Sequence, residues 1–288
     1  MSHNIANNLI GIALKERLEN LERIIDADVV TIFAPIYPNI EQRFDFILKL
    51  KKTKRKKLAL ILQTDGGFSR TAEYLVRKMR ACYDEVYFII PEYAMSAGTI
   101  LALSGDKIFM TTDSALGPID PQVKKNIEGN EKFVPAVSFM NKYEELVEKS
   151  RKKELTMAED MLMEKQFNLA ELERFRQEIE YTKDLLCDWL STYKFKNWIG
   201  KNGIKKTLIE KNKRALEIAD ILNDQKIWHN HSRRIHREVL TSRVKLLIDN
   251  VEDNEQLEKA LIEYWILFRD FLTLNRSDDF LHSTEFFL

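Results

Sequence analysis

The sequence predicts an α/β protein with a mostly parallel sheet. Four short runs of strand length alternate with segments of helical periodicity, and these runs are largely unbroken apolar sequence. Alternating strands and helices are typical of βαβ units, and unbroken apolar strands are typical of a sheet covered on both faces. We therefore expect helices on both sides of the sheet.

The elements of the first half follow in order along the chain. A helix is predicted over 8–26, where apolar residues recur at helical spacing, and a strand over 28–34, which is β-branched and bounded by prolines. The same reasoning predicts the remaining segments: helix 40–51, strand 58–63, helix 69–82, strand 85–90, a buried small-residue helix 96–103 and strand 107–111.

The second half of the chain differs from the first in composition and periodicity. Residues 139–195 are rich in charge, helical in period and free of glycine, which predicts two or three helices. The sequence leaves three roles open for these helices: packing within the chain, a hairpin for oligomerisation, or a lid over the site. The last predicted elements are a helix over 205–222, a short strand over 244–248 and an amphipathic helix over 254–274. The tail after Asn275 is expected to be loosely ordered, and its apolar end, 286–288, could dock on a partner.

Composition excludes several classes of protein. The 45 Lys and Arg residues balance 45 Asp and Glu residues, so the basic excess of a nucleic-acid-binding protein is missing. Two cysteines are too few for a disulfide framework, no apolar run reaches the roughly 20 residues of a transmembrane segment, and no signal peptide is apparent. No metal site is expected, because no cysteine or carboxylate set completes His229, His231 and His236. We expect a cytoplasmic protein.

Three loops with small residues follow successive predicted strands. They are 63–67 (QTDGG), 94–99 (AMSAGT) and 114–118 (SALGP). In an open parallel sheet, ligands bind at the carboxyl ends of the strands, so these loops would line one edge. Glycine is scarce, with 9 in 288 residues, yet five fall in this region: Gly66, Gly67, Gly98, Gly105 and Gly117. Such clustering indicates backbone conformations or close approaches that side chains would block.

Ser96 is the candidate nucleophile of this edge. It lies where a strand passes into a helix, between small residues that would let a substrate approach. A serine hydroxyl needs a neighbouring base, and the oxyanion that forms after its attack needs preorganised donors. The backbone N–H groups of Gly67 and Ala97 are the candidates for that oxyanion hole.

These motifs resemble those of the Clp-protease-like serine peptidases. Thr64-Asp-Gly-Gly67, Ala94-Met-Ser-Ala-Gly-Thr99 and Ala115-Leu-Gly-Pro-Ile-Asp-Pro-Gln122 carry the likeness, which is greatest to the serine dehydrogenase proteinase family, related to signal peptide peptidase A. It covers 28–123 and resumes over 215–247, at Trp228-x-x-His231. The resemblance implies a crotonase-like sheet, a nucleophile at Ser96, an oxyanion hole from Gly67 and Ala97, and homo-oligomers.

This likeness divides the chain into four parts. They are the first part of the Clp/crotonase-like core (1–138), a helical insertion (139–204), the completion of the core (205–250), and a C-terminal helix and tail (251–288).

The general base is the point at which the sequence departs from that pattern. Clp-type relatives place a histidine about 25 residues after the serine, but here that position falls near Pro121, and no histidine lies between Ser96 and His229. The candidates are His231, whose segment corresponds to the one that supplies the acid in Clp-type relatives, and a lysine as in signal peptide peptidase A. Lys142 is the best placed of the lysines Lys124, Lys125, Lys132 and Lys142.

Three functions remain open at this point. The first is a serine peptidase, with no cofactor, that cleaves peptides or unfolded protein segments through an acyl-enzyme on Ser96. The second is an inactive oligomeric scaffold that has lost its base. The third is an acyl-CoA enzyme of the crotonase type, in which the same oxyanion hole would hold a thioester enolate.

Overall fold

A seven-stranded sheet forms the centre of the protein in the computed structural model, which describes residues 2–51, 55–127, 129–201 and 203–287. The strands are β1 (Asp28–Phe33), β2 (Lys57–Gln63), β3 (Glu85–Ile90), β4 (Tyr93–Ala94), β5 (Lys107–Met110), β6 (Ala115–Leu116), β7 (Gln122–Ile127), β8 (Asn130–Pro135), β9 (Ile235–His236), β10 (Asp249–Asn250), β11 (Phe280–Ser283) and β12 (Phe286–Phe287). The central sheet has the order β10-β5-β3-β2-β1-β11-β12.

Helices surround this sheet. They are α1 (Ser2–Ile25), α2 (Asn39–Leu50), α3 (Ser69–Cys82), α4 (Ala97–Leu103), α5 (Ala136–Arg151), α6 (Met157–Gln166), α7 (Leu169–Trp189), α8 (Leu208–Asn223), α9 (Gln225–Trp228), α10 (Arg237–Ser242) and α11 (Glu255–Asn275). A π-helix over Leu190–Lys194 continues α7, and a 3₁₀ turn over Val251–Asp253 precedes α11.

The five strands β1, β2, β3, β5 and β10 are parallel, and both faces of the sheet are buried. Successive side chains of a strand point to opposite faces. In β2, Leu58, Leu60 and Leu62 accordingly pack with α2, α3, α4, α7 and α8, whereas Ala59 and Ile61 pack beneath α1 and α11. The predicted mostly parallel sheet with helices on both sides is confirmed.

The chain end differs from the loosely ordered tail that the sequence predicts. Strand β11 pairs antiparallel with β1, with Val30 opposite Ser283 and Phe33 opposite Phe280, and β12 folds back on β11. The ring of Phe280 lies 5.3 Å from that of Phe271 on α11, so apolar contacts hold the segment against the sheet edge. Within it, Phe286 packs on Phe46 of α2, and Leu288 lies outside the described residues.

The predicted strand over 244–248 is also wrong. Val244, Leu246 and Ile248 are buried and alternate with exposed residues, which imitates a strand in the sequence. The segment has no ladder within the described chain, and the pairing with β5 begins only at β10.

Two smaller sheets were not predicted. Strands β4, β6 and β9 form one of them, and β7 and β8 form a hairpin before α5. The charged stretch after residue 139 forms most of α5, then α6, α7 and the π-helix, as its periodicity predicts. Across the described ranges, none of the helices carries an apolar window long enough to cross a membrane.

Candidate active site

The loops after β1, β2, β3 and β5 meet at the carboxyl edge of the sheet. Isolated bridges join Ile36 to Gly67 and Thr64 to Ala94, and β4 pairs in parallel with β6. Strand β9 then adds antiparallel to β6, which brings a distant part of the chain to the same edge. The small sheet therefore holds together loops that the sequence separates widely.

Ser96 stands at the turn between β4 and α4 in a strained backbone conformation. Its φ and ψ are 52° and −117°, in a region that residues with a side chain rarely adopt. Strain of this kind costs on the order of 1–3 kcal/mol and persists only where the surrounding structure fixes it. Here Thr99 donates a hydrogen bond from its hydroxyl to Ala94 O at 2.7 Å and accepts one from Gly117 N at 2.8 Å, which ties the turn to the neighbouring loop.

The two glycines after β2 permit a close approach to Ser96. A Cβ on Gly66 would lie 2.8 Å from Ser96 Cβ, and one on Gly67 would lie 2.3 Å from Ile36 O. Ile36 donates to Gly66 O and accepts from Phe68 N, and in this parallel pattern the N–H of Gly67 points away from Ile36. Gly67 borders the cavity that contains Ser96, and Ala97 N belongs to the first turn of α4.

A histidine–aspartate pair forms the opposite part of this edge. Nδ1 of His231 lies 2.8 Å from Oδ1 of Asp120. The carboxylate is almost fully buried, with 1% of its side chain exposed, whereas 24% of the histidine side chain is exposed. In the tautomer in which Nδ1 donates to the carboxylate, Nε2 is the ring nitrogen that can accept a proton.

Two glutamines hold the carboxylate in place. Gln122 and Gln225 donate to Oδ2 of Asp120 at 2.9 and 2.5 Å, which leaves Oδ1 for His231. Ser138 of α5 in turn binds the side-chain oxygen of Gln225. A buried charge is costly unless it is paired and hydrogen-bonded, and here both oxygens have partners.

Ser96 and His231 line one cavity of about 510 Å³. Its wall also includes Asp65, Gly67, Ser69 and, on the apolar side, Tyr37, Phe68, Ile100, Ile119, Val123 and Phe133. No hydrogen bond from the Ser96 hydroxyl occurs within the described residues, so the serine and histidine face a shared space without a closed contact. Catalytic hydrogen bonds are often long in unliganded enzymes and shorten when substrate binds.

A comparison with models of protein families identifies the family of the chain. The model of the ClpP-like SDH-type serine proteinases matches residues 23–178, which is more than half of the chain. The chain belongs to this family. The match confirms the family that the sequence motifs predict.

Relatives of this family member include two uncharacterised proteins of Methanocaldococcus jannaschii. One, MJ0137, is 43% identical over 70 residues, which are 24% of each chain. The other, MJ1495, is 30% identical over 112 residues, which are 38% of this chain and 36% of that protein. The matches thus span about a quarter and about a third of the length of these relatives.

Solved structures with a similar fold share little sequence with the chain. A mutant of the 1510-N membrane-bound stomatin-specific protease is 16% identical, with a TM-score of 0.45 over 81% of this chain and 82% of that one. A ClpP1 mutant from Listeria monocytogenes is 11% identical, with a TM-score of 0.43 over 82% of this chain and 98% of that one.

The lysines considered as bases take other positions in this proteinase-family chain. Lys142 lines a different cavity, together with His229, and binds Glu145 at 2.9 Å. Lys124 borders the Ser96 cavity but pairs with Glu131 at 2.8 Å. Lys125 is buried against Glu171 at 2.5 Å, and Lys132 lies opposite it on β8 with an exposed side chain.

The three clustered histidines have separate surroundings. His229 ends α9 in a left-handed conformation with φ of 63°, which turns the chain toward His231. His236 belongs to β9 and its Nδ1 lies 3.3 Å from Ser114 O. Of the three, His231 is the one whose ring contacts a buried carboxylate.

Asp120 is the site residue that sequence reasoning missed. It belongs to the motif Ala115-Leu-Gly-Pro-Ile-Asp-Pro-Gln122, close to the position where Clp-type relatives carry their histidine. The available signal was that an ionisable residue occupies this position although no histidine does. Relative to the pattern that the resemblance implies, an aspartate stands near the position expected for the histidine, and a histidine lies in the segment expected to supply the acid.

Proposed function

We propose that the chain is a serine peptidase with Ser96 as nucleophile, His231 as general base and Asp120 as the residue that orients the base. The observation that carries the proposal is that His231, which lines the same cavity as Ser96, contacts the buried carboxylate of Asp120 through Nδ1. Family membership supports the same chemistry.

The proposed reaction follows from these positions. Oγ of Ser96 attacks the scissile carbonyl carbon while its proton passes to Nε2 of His231, and Asp120 stabilises the resulting imidazolium. The carbonyl oxygen takes the negative charge and accepts hydrogen bonds from the N–H groups of Gly67 and Ala97. His231 then returns the proton to the leaving amine, and water hydrolyses the acyl-enzyme on Ser96 by the same sequence.

Peptides and unfolded protein segments are the proposed substrates. The cavity is open to one side of the sheet edge, and its exposed aromatic residues Tyr37, Phe68 and Phe133 offer apolar contacts to side chains of an extended chain. We also propose a cytoplasmic homo-oligomer, which mass photometry of the purified chain would test. The chain has no GxxxxGK[ST] motif, so energy for unfolding a substrate would come from a partner.

Labelling with a fluorophosphonate probe tests the assignment of the nucleophile. We expect the wild type to be labelled and Ser96→Ala to lose all labelling. Ser69→Ala is the matched control, because Ser69 lines the same cavity with similar partial burial, and it should keep wild-type labelling. His231→Gln should label at least about a hundredfold more slowly, since general-base assistance contributes about 10²–10⁴-fold.

Other outcomes would select the alternatives. Unchanged labelling of Ser96→Ala would refute the nucleophile. An unlabelled wild type that forms stable oligomers would indicate the inactive scaffold. A melting temperature raised by coenzyme A thioesters, without labelling, would indicate the acyl-CoA enzyme.

A further inference from the structure

A second cavity, of about 600 Å³, lies at the opposite edge of the sheet from Ser96. Glu85, Lys107 and Asp249, which are the first residues of β3, β5 and β10, form its floor. The residues 193–199 that follow α7 form one wall, and Arg214, Lys245 and Leu247 form another. Its volume is in the range of small-molecule sites.

The wall of this cavity begins in an uncommon helical form. The π-helix Leu190–Lys194 ends where Phe195 N donates to Leu190 O at 2.8 Å, five residues back. Single π-turns of this kind are frequent at functional sites, because the extra residue redirects the side chains that follow. Here the turn places Tyr193, Lys194 and Phe195 together on the cavity.

Lys194 is the partly buried lysine of this cavity, whereas the other lysines of its lining are exposed. Nζ of Lys194 has no hydrogen bond or ion pair within the described residues, although the side chain is half-buried. Burial lowers the pKa of Lys194 to about 8, while Asp249 and Asp106 raise it and Lys107 lowers it further. A bound anion would supply an ion-pair partner to this partly desolvated amine.

The charges around Lys194 favour an anion as well. The cavity is lined by five basic residues, Lys107, Lys194, Lys196, Arg214 and Lys245, and by three acidic ones, Glu85, Asp106 and Asp249. Arg80 pairs with Asp106 at 2.6 Å and Glu217 pairs with Arg214 at 2.7 Å, which leaves four lysines of the lining against Glu85 and Asp249. Positive charge is therefore in excess where Lys194 faces the cavity.

The remaining lining is apolar and aromatic. The rings of Phe195 and Trp198 lie 5.3 Å apart, and the guanidinium of Arg80 covers one face of Tyr193 at 3.6 Å. Leu247 is 76% exposed and Ile199 is 61% exposed at the rim. A flat apolar group bound here would bury the apolar surface of these side chains, which is favourable.

We propose that this cavity binds a small organic anion with an aromatic body, its acidic group beside Lys194 and its ring against Phe195, Trp198 and Leu247. The site is separate from the Ser96 cavity and does not depend on the proposed peptidase activity. One end of the ligand would contact a charged side chain, and the other end would contact apolar side chains.

Binding of anilinonaphthalene sulfonate, followed by fluorescence titration and calorimetry, tests the proposal on the full chain. We expect one saturable site, with affinity lowered at least about tenfold by Lys194→Met and by Leu247→Asp. Lys205→Met is the matched control, because Lys205 is exposed beside the cavity without lining it, and it should bind as the wild type does. Ser96→Ala should bind normally.

Charge and pH give two further readouts of the same experiment. Naphthylmethylamine, an aromatic cation, should fail to compete, whereas naphthalene sulfonate should compete. Because the charged amine holds the anion, affinity should fall as pH rises through about 8 in the wild type and stay level in Lys194→Met. Equal affinity in folded Lys194→Met and wild type, or competition by the aromatic cation, would overturn the proposal.

Discussion

Two histidines in this protein make nearly the same contact in opposite environments. His231 approaches Asp120 through Nδ1 at 2.8 Å, and His282 approaches the Tyr264 hydroxyl through Nδ1 at 2.9 Å. The first borders an open cavity at the carboxyl edge of the sheet. The second is 1% exposed beneath α11, where Tyr264 also bonds to Thr31 at 2.7 Å.

The difference lies in the charge of the partner and in access to the ring. Burial lowers the pKa of His282 to about 3, so this ring stays neutral, and it stacks on Tyr264 and Phe268 between α11 and β11. The partner of His231 is the carboxyl group of Asp120, and the partly exposed histidine lines the cavity that Ser96 borders. Whether a histidine is suited to proton transfer therefore depends on its partner and on its exposure. The presence of a hydrogen bond alone does not decide this.

The largest expected effect comes from making the partner of His231 neutral, as that of His282 is. In Asp120→Asn the amide can donate to Nδ1 and so favour the wrong tautomer, and it no longer stabilises the imidazolium. We expect the rate of fluorophosphonate labelling to fall by about 10³–10⁴-fold, with little loss of folding. Time courses of labelling would measure the rate, and circular dichroism would measure the folding.

Asp65→Asn is the control for that change. Asp65 lines the same cavity but forms no hydrogen bond or ion pair with His231 in the described part of the chain, so the labelling rate should stay within about threefold of the wild type. A similar loss of rate in both variants would show that the general charge of the cavity, and not the orientation of His231, is what matters.

A smaller effect is expected from disturbing the loop that faces the nucleophile. Gly66→Ala would place a methyl group 2.8 Å from Ser96 Cβ, at a residue with φ of +108°. We expect labelling to slow by about a hundredfold, by analogy with loss of one oxyanion-hole donor, and unfolding to become easier by about 1–3 kcal/mol.

Gly129→Ala distinguishes backbone strain from crowding of Ser96. Gly129 also has a positive φ, +82°, but a Cβ there would meet no atom within 4 Å. This variant should lose stability through backbone strain and keep its labelling rate. If Gly66→Ala behaved like Gly129→Ala, crowding of Ser96 would not be the reason for the glycine.

The smallest effect concerns the buried histidine. Since the pKa of His282 falls from 6.5 to about 3 on folding, the unfolded chain binds a proton that the folded one refuses. Stability is then fully present above about pH 6.5 and decreases by up to about 1.4 kcal/mol per pH unit below it. Urea unfolding of the wild type and of His282→Asn between pH 7 and pH 5 should show a shallower slope for the variant. His236→Asn, altered at an exposed histidine, should keep the wild-type slope.

The sequence predicted the parallel core well because its strands are uninterrupted apolar runs. The bounds of β3 and α3 agree with those predicted, and Ser96 lies at the expected turn. Strand β11 was missed because its pairing with β1 joins the two ends of the chain, and no local pattern in 280–283 indicates a partner so distant. Asp120 was missed for the same reason, since its role depends on His231 and on two glutamines from different segments.

The order of the proposed catalytic residues has a consequence for synthesis of the protein. Ser96 and Asp120 are made before the helical stretch from α5 to the π-helix, and His231 is made after it. A nascent chain that has left the ribosome only as far as residue 204 carries the nucleophile without its base. The proposed catalytic set is thus complete only when the segment that contains His231 has been translated and β9 has paired with β6.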